Sequence, residues 1–193
     1  MKPTSSRSKA ALRLLALLAV ALVSPANARA AETGGHAPVR YTATVVGPEV
    51  GSAPVAIHVD EFTTDEEFQR LAQVLAEKGS DGLRDLAFEL DKGWVRIGNG
   101  LGYPIAVATR KPTAAGGEKV TIVVDRQIEF VELWRNLRSA DYPFTYIELT
   151  VDGEGKGQGE LTPVAKVKLG PGDRIQVEPL GGLPFRLLHV RRR

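Results

Sequence analysis

From residue 94 onward, the sequence is a succession of short apolar segments separated by clusters of Gly, Pro, Asn and Asp. Such clusters favour turns, and short, evenly spaced strands between them are typical of an antiparallel sandwich or barrel. The candidate strands of this part are 94–98, 104–110, 119–125, 128–133, 144–152, 159–169, 174–178 and 185–191. Residues 128–133 fit a short helix nearly as well as a strand.

Two further strands are predicted upstream, at residues 40–46 and 54–59. In the second, Val55, Ile57 and Val59 alternate with polar or small residues, the period of two that a half-buried strand shows. The sequence therefore predicts a mainly β domain over residues 40–193, with about nine antiparallel strands arranged as a barrel or a sandwich.

A helical pair is predicted at residues 64–92, between the second and third strands. Thr64 and Glu67 have the spacing of a capping box, and apolar residues then recur at helical intervals. Lys78 and Gly79 suit the end of a first helix. Ser80 or Asp81 can cap a second helix, which would end at Lys92 and Gly93. We expect this insertion to cover one open end or one face of the sheet.

The first thirty residues have the three parts of a secretory signal peptide. Basic residues come first, the apolar stretch Leu14–Val23 follows, and residues 26–30 offer two small-x-small cleavage sites. Ten apolar residues are too few to cross a bilayer, which takes about 20. We expect cleavage after Ala30, with Ala28 as the alternative, and then a flexible lead-in at residues 31–39.

Removal of this leader changes the charge of the chain. The leader holds five of the 25 Lys and Arg residues and none of the 23 Asp and Glu residues, so 20 basic residues remain and the net charge falls from +2 to −3. A slightly acidic domain is not expected to bind nucleic acid. The chain contains no Cys, which excludes disulfides and a lipid-modified cysteine. We expect a soluble periplasmic or extracellular protein with no membrane span after cleavage.

Several chemical motifs fail on inspection. The glycine-rich run at residues 152–159 lies between two strand patterns, whereas a phosphate-binding loop opens a helix. An EF-hand loop starting at Asp152 would place Lys156 and Pro163 at ligand positions. The candidate ligands for a metal site are few: His58, Asp60 and His189. We interpret His58 and Asp60 as part of an exposed strand face. No cofactor and no metal are predicted.

Residues 135–144 connect two predicted strands and combine Arg, Asp and aromatic residues, as binding loops do. The candidate ligand-binding residues are Arg138, Asp141, Tyr142, Trp94, Tyr103 and Trp134, with the three outside the connection supplying an aromatic wall. The competing interpretation is that Tyr142 and Phe144 belong to the core. Carboxylates for acid–base chemistry would come from Glu129, Glu132, Glu148, Asp125 and Asp141.

Parts of the sequence resemble a group of uncharacterised secreted bacterial proteins. The residues concerned are 102–106, the string 137–144, the strand at 147–149, the Gly-x-Gly-x-Gly hairpin and the closing segment 184–190. The resemblance implies export and a shared β-rich fold, and it implies no activity, cofactor or catalytic residue.

Two functions follow as hypotheses. The first is an exported, non-catalytic protein that binds a small apolar ligand or a protein partner in the cell envelope or outside the cell. The second is a carboxylate-dependent hydrolase with its site near residues 135–144. The first is favoured because no recognisable catalytic constellation is present.

Overall fold

The computed structural model describes residues 37–47, 51–128, 141–170, 174–180 and 184–193. The predicted leader, most of the lead-in and residues 129–133 of the uncertain segment lie outside the described residues. The described strands are β1 (Val39–Gly47), β2 (Gly51–Val59), β3 (Gly93–Ile97), β4 (Tyr103–Pro112), β5 (Glu118–Val124), β6 (Phe144–Val151), β7 (Lys156–Gly170), β8 (Arg174–Pro179) and β9 (Phe185–Arg192). One helix, α1 (Asp65–Ala87), lies between β2 and β3.

Eight of the strands form a closed antiparallel barrel. Strands β1 to β7 pair consecutively, β7 pairs with β9, and β9 returns to β1. Of the two predicted arrangements, the barrel is therefore correct. The ninth strand, β8, pairs with the second half of β7, at Ala165–Gly170, beyond the part of β7 that β9 covers.

The barrel interior is filled by side chains at alternate strand positions. In β2, Val55, Ile57 and Val59 are at most 2% exposed. Inward residues from the other barrel strands join them in one cluster, which includes Tyr41, Val95, Ile122, Leu149, Leu161 and Leu187. An eight-stranded barrel has an interior just wide enough for side chains to fill. The interior is therefore a core rather than a site.

Helix α1 begins as the sequence predicts. The Thr64 hydroxyl accepts a hydrogen bond from the Glu67 amide (3.2 Å), and the Glu67 carboxylate accepts one from the Thr64 amide (2.9 Å). The prediction of two helices is wrong. One helix runs to Ala87, and it kinks at Gly79, where φ is 68° and ψ is −161°. Glycine adopts this left-handed φ at little cost, so the chain resumes the helix at once instead of forming a loop.

The helix covers one face of the barrel. Leu71, Leu83, Leu86 and Ala87 form a second apolar cluster with outward-facing residues of four strands. These wall residues are Ala106, Val107, Val123, Phe144 and Val167. The described chain therefore has two apolar cores, one inside the barrel and one between its wall and α1.

The seam between β3 and β4 is the shortest pairing in the barrel. Only two residue pairs join these strands, Trp94 with Pro104 and Val95 with Tyr103. The segments that flank α1 hydrogen-bond to the next residues of β4. Thr63 donates from its amide to the Ala108 carbonyl (2.7 Å), and Lys92 donates to the Ile105 carbonyl (2.8 Å). The insertion thus satisfies backbone groups of β4 that β3 does not reach.

The side chain of Lys92 ties the two flanking segments together. It is 3% exposed, and its ammonium group lies 2.5 Å from the Glu61 carboxylate and 2.7 Å from that of Glu67. Burial lowers the pKa of Lys92, but hydrogen bonds to both carboxylates outweigh it and hold the pKa above its ordinary value of 10.5. Burial alone would raise the pKa of Glu67. Hydrogen bonds from Lys92 and Thr64 outweigh this effect, so the pKa lies below its ordinary value of 4.5.

We expect Lys92→Met to lower the free energy of unfolding by about 2 kcal/mol in urea denaturation at neutral pH. Removing one member of a fully buried ion pair costs more, about 3–5 kcal/mol. The smaller loss follows because Glu61 and Glu67 remain partly hydrated, at 58% and 33% exposure. An unchanged stability would contradict this role for Lys92.

The lowered pKa of Glu67 has a pH signature. Its contribution is complete above the ordinary value of 4.5 and is lost as the pH falls through the pKa of the folded state. Glu67→Gln should therefore reduce the decline in stability below pH 4.5, measured by urea denaturation at several pH values. Glu66→Gln, at the exposed neighbouring position in the same first turn, is the control and should keep the decline of the parent chain.

Candidate functional site

A crevice with an entirely apolar lining lies between α1 and the barrel wall. Its volume is about 20 Å³, and one side is open to solvent. The lining residues are Phe68, Leu71, Ala72, Leu75, Leu83, Ala87, Ala106, Val107, Val123, Phe144 and Val167. The helix residues come from both sides of the kink at Gly79, so the crevice passes beneath it.

A bulge in β4 builds the wall of this crevice. The pairing of β4 with β5 shifts register between Ile105 and Val107. Ile105 and Ala108 belong to the barrel interior, while Ala106 and Val107, between them, both pack against the helix. An alternating pattern does not predict this wall, because a bulge breaks the alternation of faces. The buried run Ile105–Ala108 was the only local signal.

The predicted aromatic residues do not come together. Trp94 lies on the outer surface of the barrel, where its ring stacks on His58 with centroids 5.6 Å apart. Tyr103 packs against the interior core instead. These residues are neighbours across β3 and β4, but adjacent positions along paired strands point to opposite faces. Trp134 and Arg138 lie outside the described residues.

Asp141 and Tyr142 lie immediately before β6. Asp141 is exposed, and the Tyr142 hydroxyl donates a hydrogen bond to Glu178 on β8 (2.6 Å). The same Glu178 pairs with Lys168. The hydrogen bond to Glu178 raises the pKa of Tyr142, and the bonds from Lys168 and Tyr142 lower the pKa of Glu178. These contacts join the segment just before β6 to the β7–β8 hairpin. The hydrogen bond to Glu178 therefore gives Tyr142 a structural role.

Two of the three described carboxylates from the predicted acid–base set have partners of their own, and the third, Asp141, is exposed. Asp125 is 3% exposed and accepts two hydrogen bonds from Arg126, at 2.9 and 3.0 Å. Glu148 pairs with Lys119 (2.8 Å) and accepts a hydrogen bond from the Tyr146 hydroxyl (3.0 Å). Burial and the charge of Glu148 raise the pKa of Tyr146 to about 12. Glu129 and Glu132 lie outside the described residues.

The histidines do not assemble a metal site in the described part of the chain. His58 donates a hydrogen bond to Asp60 from Nε2 (2.9 Å) and accepts one from Arg40 at Nδ1 (3.0 Å). His189 is exposed on β9, with a φ of 54°. Across the described ranges, no three His, Asp or Glu side chains are close enough to hold a metal ion.

A polar cluster that the sequence did not reveal lies at the end of the barrel where β4 meets β5. The Tyr41 hydroxyl donates to the Glu118 carboxylate (2.9 Å), and Arg192 donates to the same oxygen (3.2 Å). Burial, and then the charge of Glu118, raise the pKa of Tyr41 well above its ordinary value. Glu118 lies two and four residues before Val120 and Ile122, whose side chains point into the barrel. This alternate spacing was the only sequence feature to indicate that Glu118 is buried.

Comparison with protein-family models, curated proteins and solved structures finds no match to this chain. The resemblance to secreted bacterial proteins therefore stays a prediction. Within the described ranges, α1 is the long helix, and it lacks the continuous apolar character that crossing a membrane requires.

Two tyrosine substitutions should distinguish buried from peripheral hydrogen bonds. Tyr41→Phe leaves a buried carboxylate with one donor fewer, so we expect it to lower the free energy of unfolding by about 1–2 kcal/mol. Tyr142→Phe removes a part-buried bond outside the barrel core and should lower the free energy of unfolding less. Urea denaturation measures both. Equal effects of the two substitutions would contradict this assignment of Tyr41 to the barrel core.

Proposed function

We propose that this chain is an exported, non-catalytic binding protein whose ligand is a small apolar molecule held between α1 and the barrel wall. The observation that supports this function is the lining of the crevice, to which no polar atom contributes. A lining of this kind selects apolar ligands by burial alone, at about 0.8 kcal/mol for each buried methylene group. The barrel interior is occupied by the first apolar cluster, which includes Ile57, Ile122 and Leu149.

The ligand enters by displacing the helix. A volume of about 20 Å³ holds roughly one water molecule, whereas pockets for small organic ligands measure about 300–1,000 Å³. Gly79 supports such a movement because its left-handed φ already separates two helical arms that line the crevice. The Lys92 ion pairs hold the N-terminal arm at its base, so we expect the arm after Gly79 to move further.

The hydrolase hypothesis has less support. Asp125 pairs with Arg126, and Glu148 pairs with Lys119 and accepts a hydrogen bond from Tyr146. Asp141, the third described carboxylate of the predicted set, is exposed. The part of the 135–144 connection that carries Arg138 lies outside the described residues. A catalytic role there stays a prediction, and no contact described in the structure favours it over binding.

Binding can be measured with dodecanol, as displacement of the dye 1-anilinonaphthalene-8-sulfonate from the purified mature chain. We expect saturable binding and competition between the two probes. Ala72→Phe fills the crevice from the helix side and should weaken dodecanol binding at least about tenfold, because it replaces the space that a ligand would occupy. Ala76→Phe is the matched control, since Ala76 is exposed one turn later and does not line the crevice.

Two results would contradict the proposed ligand site. One is the absence of saturable binding by the parent chain. The other is equal binding by the Ala72 and Ala76 variants, which would place the probe on a different surface. A thermal melt of each variant verifies that it is folded before binding is measured.

Export can be tested separately by expressing the full chain in a Gram-negative host. The mature protein should appear in the periplasmic fraction and begin at Ala31, as determined by N-terminal sequencing, because small residues at 28 and 30 fit a signal-peptidase site. Leu17→Arg combined with Leu18→Arg interrupts the apolar stretch and should retain the precursor in the cytoplasm. Uncleaved parent chain in the cytoplasm would contradict export.

A further inference from the structure

The outer surface of β9, β1, β2 and β3 lies away from the strands that α1 covers, and it has an unusual composition. The four strands contain five Arg residues and no Lys, Asp or Glu. This composition contrasts with the net charge of −3 that the chain would have without its leader. Positive charge is therefore concentrated on one side of the barrel.

Strand pairing places three arginines of this region around the rings of His58 and Trp94, and a backbone hydrogen bond adds a fourth, Arg193, which follows β9. In one row, Arg40 lies opposite His58, which lies opposite Trp94. In the next row, Arg191, Thr42, Ala56 and Arg96 are successive cross-strand neighbours. The Arg193 amide donates to the Arg40 carbonyl (2.8 Å), which places Arg193 beside the first row. We call the surface formed by Arg40, Arg96, Arg191, Arg193, His58 and Trp94 the arginine face.

The charges of the arginine face are available to a ligand. Its four arginines are exposed, and among the described residues none of them forms a salt bridge with a carboxylate. The acidic residue nearest in sequence to its rings is Asp60, which already bonds to His58. Four guanidinium groups within two rows of a sheet repel one another, and an anionic partner relieves that repulsion.

Two of the four arginines are held in place by their neighbours. The Nε of Arg40 donates to His58 Nδ1 (3.0 Å), and the described contacts of Arg40 leave its two terminal nitrogens without a partner. The guanidinium of Arg96 lies 5.2 Å from the centre of the Trp94 ring. Side chains that are already ordered lose less entropy on binding, so these contacts prepare the surface for a partner.

We propose that the arginine face docks an acidic segment of a partner protein. Arginine presents a planar fork that binds a carboxylate with two hydrogen bonds, and lysine does not. The exclusive use of Arg therefore fits carboxylate recognition better than general attraction to negative charge. Trp and Arg are also the residues most enriched at the energetic centres of protein interfaces. Trp94 is half-buried beneath its neighbours, which gives the face no protruding apolar group for insertion into a membrane.

The test uses a fluorescently labelled oligoglutamate peptide and the mature chain at low ionic strength, with binding followed by anisotropy. Arg40→Ala combined with Arg96→Ala should weaken binding about tenfold, since each exposed charge pair makes a small favourable contribution. Arg70→Ala combined with Lys111→Ala is the matched control. It removes the same charge from exposed positions on α1 and β4 and should bind within about twofold of the parent.

A charge-preserving variant tests whether binding depends on the planar guanidinium group of arginine. Arg40→Lys combined with Arg96→Lys keeps both charges, and we expect it to lose part of the affinity that the alanine variant loses. Full affinity of the lysine variant would overturn the argument from arginine geometry. Added salt should weaken binding by the parent chain, as it does for exposed charges.

Three results would overturn the proposal as a whole. They are no saturable binding of the peptide, an equal loss in the control variant, and stronger binding to phosphatidylglycerol vesicles or to single-stranded DNA than to oligoglutamate. The third would assign the face to a lipid surface or a nucleic acid. The apolar crevice is a separate site, so Ala72→Phe should leave peptide binding unchanged and the two proposals can fail independently.

Discussion

The buried ammonium group of Lys92 lies where the barrel has its shortest strand pairing. Strands β3 and β4 share only two residue pairs, and β4 continues well beyond them. The chain on both sides of α1 supplies the missing hydrogen bonds to β4. Lys92 then joins these two segments through Glu61 and Glu67. Closure of the barrel and placement of the helix therefore depend on the same contacts.

That placement divides the outer surface of the barrel into two regions with different chemistry. Over β4 to β7, the wall is apolar and packs against α1. Over β9 and β1 to β3, the wall is polar and rich in arginine. The apolar region suits an apolar ligand, because burial of apolar area requires a space that is covered from water. The arginine-rich region suits an anionic partner, because exposed guanidinium groups can bind its carboxylates. Both proposed interactions use the wall of the barrel because its interior is filled.

Bulges explain why some side chains of β4 and β9 do not alternate strictly between the interior and the outer surface of the barrel. In β4, the register shift after Ile105 turns two successive residues toward the helix. A second shift in β9, near His189, separates the outward positions of Leu188 and Arg191 by three residues rather than two. His189 itself takes a left-handed φ of 54°, and Arg191 still faces outward beside Thr42.

Most of the fold followed from local sequence. The alternation of Val55, Ile57 and Val59, the capping box at Thr64, and the turn clusters predicted the strands and the start of the helix, because each depends on neighbours within a few residues. Only tertiary structure decided that the sheet closes, since closure pairs β1 with β9 across almost the whole described chain. It likewise decided that Gly79 kinks one helix, because packing of both arms on the same wall outweighs a local stop signal. The crevice, the Lys92 ion pairs and the arginine face could not be predicted for the same reason. Each brings together residues far apart in sequence, and their proximity depends on register and bulges that no local pattern specifies.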